Sequence, residues 1–287
     1  MNGTGSANHT GRPLWQRALL ILAALGFALG IYLSIRAQPE LISDLDYQPL
    51  LVLALFAIPV TVLLNAEEFR LSAHLVGQDF PRAAAAEVTI VASVANMLPI
   101  PGGTMVRIAA LKSKGAGLRD GTSATLLISF LWVAIAFLYS GAWLLSPAVS
   151  AAQWLGIGFM IFGAGMLFLV VVLGVRMFRQ HRTLALLGLV KCGLVLLDAS
   201  RIYLCFLVIG AGGSFGQASV LAVSSVVGAS VSIVPAGLGV REGAAALLAP
   251  WIALAAASGY LATSLNRLVG LTIMAPVALY LGLRAKK

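Results

Sequence analysis

The sequence predicts an all-α, polytopic membrane protein with six full spans, two re-entrant or broken helical hairpins and an inverted-topology repeat. Three observations lead there. The 287 residues are 60% hydrophobic and 10% charged, with a mean hydropathy of +0.98. A soluble domain carries about 25% charged residues, so lipid has to be the solvent for most of this chain. Apolar runs such as Gly121 to Leu145 exceed the roughly 20 residues that cross a hydrocarbon core of about 30 Å. None alternates apolar with polar residues, which leaves helices as the way to satisfy the backbone in lipid.

In chain order, residues 1–14 form a basic tail, and the first span covers about 15–36. No small-x-small cleavage site follows it, so it reads as an uncleaved span. Further spans are expected at 49–66, 121–145, 153–175, 186–210 and 256–283. Two more apolar segments, 83–111 and 217–250, are interrupted at NMLPIPGGTMVR and SIVPAGLGVREG. Proline and glycine break helices, so each segment reads as a hairpin that returns to its side of entry. Straight helices over 83–98 and 217–234 would rise roughly 24 and 27 Å, nearly enough to cross.

Charge placement orients this layout. With the N-terminus inside, Arg12, Arg17, Arg70, Arg82, Lys112, Lys114, Arg119, Arg176, Arg179, Arg182, Arg284, Lys286 and Lys287 fall inside. Arg36 alone falls outside, beside Glu40, Asp44 and Asp46. That bias follows the positive-inside rule and puts both termini in the cytoplasm. The net charge of +9 thus reports topology and implies no nucleic acid. Cys192 and Cys205, 13 residues apart in one apolar run, are too distant on a helix for a disulfide. His9, His74 and His181 are scattered in the tail or polar connections. Without a metal-binding spacing, nucleotide loop or nucleophile motif, no enzyme, metal or cofactor is expected.

An internal repeat organises the chain. Pro101-Gly102-Gly103-Thr104-Met105-Val106-Arg107 aligns with Pro235-Ala236-Gly237-Leu238-Gly239-Val240-Arg241 at an offset of 134 residues. The same offset relates the element starts 15 and 149, 50 and 184, 83 and 217, 121 and 255. The expected units are therefore 15–147 and 148–287, the first beginning inside and the second outside. Inverted repeats with broken helices are a transporter architecture suited to alternating access.

Charges inside apolar segments mark the candidate site, since each costs about 2.5–3.5 kcal/mol at a span centre. Arg107 and Arg241 start the returning half-helices, where free backbone N–H groups and the helix dipole already favour an anion. A guanidinium there suits bidentate phosphate binding; the alternative is an arginine that only holds the hairpin tip. Glu242 needs a partner other than the adjacent Arg241, with Arg267 or Arg201 expected, or it could bind a proton. Asp198 and Arg201, spaced i, i+3, are expected to pair within one helix. Glu87 and Lys191 read as interfacial. Asn96 either caps the first break or meets a headgroup, while Pro101, Gly103, Pro235, Gly237 and Gly239 shape the bends. Gly156, Gly158, Gly163 and Gly165 suggest close helix packing. Trp15, Trp143, Trp154 and Trp251 suggest an aromatic belt.

NMLPIPGGTMVR and SIVPAGLGVREGAAALL, with the late arginine in TSLNRLVG, resemble the lysylphosphatidylglycerol synthase/flippase membrane-domain family, the membrane region of the multiple peptide resistance factor. The likeness covers nearly the whole chain from about residue 15, and Gly237 to Glu242 is its most specific part. It implies a bacterial cytoplasmic-membrane protein that moves lipid between leaflets. It also implies that aminoacyl transfer belongs to a separate soluble domain, which this chain, ending at Lys287 after its last span, is not expected to carry. The matching positions are Pro101, Gly103, Arg107, Pro235, Gly237, Gly239, Arg241, Glu242 and Arg267. The expected function is translocation of an anionic phospholipid or lipid-linked phosphate, its headgroup meeting Asn96, Arg107, Arg241, Glu242 and Arg267. The alternatives are transport of a small soluble anion and a membrane enzyme or accessory protein of lipid or glycolipid synthesis.

Overall fold

The structure, a computed structural model, describes residues 14–43, 45–96, 102–147, 152–230 and 237–284. All regular elements among these are helical. In chain order they are α1 (Leu14–Ala37), α2 (Tyr47–Val52), α3 (Ile58–Leu75), α4 (Arg82–Ala95), α5 (Gly102–Ser113), α6 (Leu118–Leu144), α7 (Gln153–Phe178), α8 (His181–Val208), α9 (Phe215–Leu221), α10 (Val223–Ser230), α11 (Val240–Leu248) and α12 (Ala256–Arg284). Five helices are long and apolar enough to cross a membrane: Tyr47–Leu75, α6, α7, α8 and α12. The first expected span corresponds to α1, whose stretch Ile21–Ala37 is a shorter apolar helix.

The second span differs from its expected end at residue 66. The helix runs on to Leu75, and a π-helical turn, Leu53–Ala57, joins α2 to α3. Pro59 lies just beyond that turn. Proline removes a helical N–H, and a π turn is a common local adjustment. The extension carries Glu67, Glu68 and Arg70 on helix instead of connecting loop.

The first interrupted segment is the pair α4 and α5; the second has α9 and α10 on one arm and α11 on the other. The tips, including Pro101 and Pro235, lie outside the described residues, as does the side chain of Trp15. At the first break Asn96 Oδ1 accepts the Gly103 N–H at 2.8 Å, capping α5. A Cβ on Gly103 would overlap the Asn96 side chain, so the two helices meet at glycine. In the second, Gly237 and Gly239 take φ of +61° and +79°, a region that glycine enters without penalty. A Cβ on Gly237 would also overlap the carbonyl of Gly228.

Packing follows the 134-residue offset. Helix α3 packs on α4 as α8 packs on α9; α6 packs on α7 as α12 packs on α1. Each hairpin crosses to the other half: α4 packs on α12, and α9 with α10 on α6. The halves are thereby interlocked, with α3 against α8 at their junction. Of the four glycines expected to mark close packing in α7, Gly156 and Gly163 meet the side chains of Leu145 and Leu138. Gly158 and Gly165 have open space instead. Trp154 and Trp251 form an edge-to-face pair at 5.6 Å, bringing α7 and the turn after α11 together at one end.

Candidate functional site

Every interior acid is carried by a helix that a hairpin or its neighbour touches. On α3, Glu68 is 1% exposed although its neighbour Glu67 is 35% exposed. Adjacent helical residues point about 100° apart, so one acid turns inward and the other outward. Outward, Glu67 pairs with Arg70 at 2.6 Å. Inward, Glu68 Oε1 accepts from Arg107 Nη1 and Oε2 from Lys191 Nζ, both at 2.7 Å. Lys191 also sits 5.4 Å from the centre of the Trp132 ring.

Lys191 is thus buried and paired, not interfacial as its position in the sequence suggested. The reason is the longer second span, which brings an acid opposite it. Glu87, by contrast, is exposed on α4.

The second cluster surrounds Asp198 of α8. Its Oδ1 accepts from Arg241 Nη2 at 3.2 Å and from Asn266 Nδ2 at 3.4 Å; its Oδ2 accepts from the Ser225 hydroxyl. Hairpin two thus supplies both Arg241 and Ser225, and α12 supplies Asn266. The expected Asp198–Arg201 ion pair does not form: Arg201 Nη1 instead reaches the Thr61 hydroxyl at 3.4 Å. The i, i+3 spacing permits that pair, but the tertiary partner Arg241 takes the carboxylate.

A third pair closes the base of α11. Arg267 Nε donates to Glu242 Oε1 at 2.7 Å, and Arg267 Nη2 donates to the Gly237 carbonyl at 3.2 Å. Glu242 Oε2 accepts the Gly239 N–H at 2.9 Å. Glu242 is fully buried, so one carboxylate both neutralises Arg267 and caps the returning helix.

Arg107 and Arg241, at equivalent positions, each meet an acid on the second span of their own half: Glu68 on α3 and Asp198 on α8. The sequence separations are 39 and 43 residues, one helical turn apart. Each arginine is already bonded to a carboxylate, and no contact joins the two arginines among the described interactions.

Summed over the interior, Arg107, Lys191, Arg201, Arg241 and Arg267 face Glu68, Asp198 and Glu242. That is two positive charges in excess among the described residues, and the undescribed tips carry no ionisable side chain. Among the described residues, no carboxylate lies within 4.0 Å of Arg201. Its Nε and that of Arg241 are buried without a hydrogen-bond partner, as is Asn266 Oδ1. Interior cations in excess of the carboxylates are costly, so they mark a place where an anion would be welcome.

Glu68, Ser225, Asn266 and Thr61 escaped the sequence reading. For Glu68 a signal existed: Ala66, Phe69, Ser72 and Ala73 continue a helical burial pattern past residue 66. No group of three or more His, Cys, Asp or Glu among the described residues could hold a metal. Both cysteines are free thiols, Cys192 exposed and Cys205 buried. No known family model matches the chain, and no curated protein matches it.

Proposed function

We propose that the protein moves an anionic phospholipid, or a lipid-linked phosphate, between the leaflets of a bacterial cytoplasmic membrane by alternating access. The observation that carries this reading is the interior excess of two positive charges in a chain whose helices are long and apolar enough to span lipid. An apolar bundle that retains uncompensated guanidinium groups is suited to an anionic cargo. The interlocked halves add support: two hairpins of opposite entry give two arrangements of similar energy, one open to each face. Both termini are then cytoplasmic, as the lysine and arginine bias indicates. The hairpin motifs, by their resemblance to the lysylphosphatidylglycerol synthase/flippase membrane domain, favour a lipid over a soluble solute. No catalytic step is assigned to the chain.

In this reading Arg107 and Arg241 exchange their carboxylates for the headgroup as the hairpins move. Asn96, Glu242 and Arg267 hold the hairpins in shape.

Reconstituted vesicles containing fluorescent phosphatidylglycerol, a lipid-linked phosphate or a neutral diacylglycerol provide the test. Protein-dependent exposure of the anionic lipids to an external quencher, with little movement of the neutral one, is the expected result. Rates equal to those of empty vesicles for every anionic lipid would refute the proposal. Uptake of soluble phosphate without lipid movement would replace it by the soluble-anion reading.

A further inference from the structure

We infer that Asp198, Arg201, Arg241 and Asn266 form a binding site for a single phosphodiester-class monoanion, in which Arg201 supplies the charge that the anion neutralises. The inference deepens the translocation reading, and it rests on that reading only for the lipid source of the anion.

Charge count gives the first argument. One carboxylate faces two guanidinium groups here, leaving a net charge of +1, because Arg201 has no carboxylate of its own. A phosphodiester carries one negative charge at neutral pH and matches that residue of charge. Asp198 keeps the site from reaching +2, which would hold a monoanion too firmly to release it.

Bond quality gives the second. The contacts at 3.2, 3.4 and 3.4 Å are long for charge-assisted hydrogen bonds, which run about 2.7–2.9 Å. Glu68 and Glu242, by comparison, hold their cations at 2.7 Å. Arg241 and Asn266 can therefore turn toward an incoming oxyanion with little loss. The Nε–H groups of Arg201 and Arg241 are donors with no acceptor, and a guanidinium presents Nε–H and Nη–H as a fork that matches two phosphate oxygens.

Access gives the third. Asp198 and Arg241 are 18% and 14% exposed, while Glu68 and Glu242 are 1% and 0%. Of the three interior carboxylates, the one in this cluster is the most exposed. Ser225, on α10, anchors Asp198 while Arg241 changes partner.

The test measures binding by purified protein in a neutral maltoside detergent, followed by calorimetric titration. The probes are dioctanoyl phosphatidylglycerol, dimethyl phosphate and dioctanoylglycerol. Wild-type protein is expected to bind the phosphatidylglycerol saturably, and Arg201→Gln to bind it at least tenfold more weakly. Arg201→Lys, which keeps charge but lacks the fork, is expected to fall between them.

Dioctanoylglycerol is expected not to bind. If dimethyl phosphate binds with the same dependence on Arg201, the phosphate group alone suffices and the source can be a free anion. If only the acylated probe binds, the source is a lipid. Unchanged affinity in Arg201→Gln, equal binding of dioctanoylglycerol, or no binding by the wild type would each overturn the site.

Arg201→Gln is expected to melt no lower than the wild type without ligand, because it removes the one cation in excess within this cluster. Loss of the fold in that variant would instead assign Arg201 a structural role and overturn the proposal. Translocation without Arg201-dependent binding would leave the translocase reading standing and this site refuted. Arg201-dependent binding without translocation would do the reverse.

Discussion

Arg107 and Arg241 stand at equivalent places in the two halves, each in a cluster of one carboxylate and two cations, yet the clusters differ in distance, in pairing and in the exposure of the carboxylate. Around Glu68, two cations bind one buried carboxylate through both oxygens, each at 2.7 Å. Around Asp198, one guanidinium binds at 3.2 Å, a second binds no carboxylate, and both leave a buried Nε–H unpaired. The first arrangement is a fastening; the second resembles a site held ready for something else. Lys191 and Asp198 are both on α8, seven residues or about 10 Å apart on nearly the same face. One helix thus carries a closed cluster and an open one, on either side of its middle.

Removing the common acceptor breaks the comparison most severely. Glu68→Gln leaves the buried Lys191 and the half-buried Arg107 without a counter-charge, and a loss of about 3–5 kcal/mol is expected. Unfolding in mild detergent should report it as a large fall in melting temperature. A change of less than about 1 kcal/mol would mean that the closed cluster is not a fastening.

Double-mutant cycles sharpen the same contrast. The Glu68–Arg107 pair should couple by about 2–3 kcal/mol and the Asp198–Arg241 pair by about 1 kcal/mol. Equal couplings would remove the distinction between fastening and site.

Backbone crowding predicts the next effect in size. Gly237→Ala places a Cβ at φ +61° against the carbonyl of Gly228, at an expected cost of about 1–3 kcal/mol. Thermal unfolding at wild-type temperature would show that hairpin two opens at that point.

Gly158→Ala and Gly165→Ala, with open space around them, should fall within about 0.5 kcal/mol of wild type. The same unfolding assay separates them from Gly156→Ala and Gly163→Ala, which push against α6.

Sequence patterns revealed most of the helices because span length and Pro/Gly interruption are local properties. They revealed less about the partners of the charges, which are tertiary. Glu242 needed a partner off its own turn, and adjacency alone excluded Arg241; Arg267 followed as a candidate. Asp198 and Arg201 had a local solution at i, i+3, and a sequence reading takes the local solution when nothing opposes it. What opposed it was Arg241, 43 residues away. Glu68 was lost through a misplaced helix end: Glu67, Glu68 and Arg70 look like the polar rim of a span. Only the periodic burial from Ala66 to Leu75 tells that the helix goes on. The glycine stripe of α7 was half right, since composition does not say which face of a helix meets a neighbour.

Opposite orientation of the two hairpins underlies the whole functional proposal, and side-specific labelling tests it most directly. Ser113, the last residue of α5, and Ala255, in the connection from α11 to α12, are exposed residues at the far ends of the two hairpins. Single Ser113→Cys and Ala255→Cys variants, made in a Cys192→Ala/Cys205→Ala background, can be treated with a membrane-impermeant maleimide on intact and on opened cells. The account predicts reaction at 255 in intact cells and at 113 only once the cytoplasmic side is open. Reaction of both positions from the same side would contradict it.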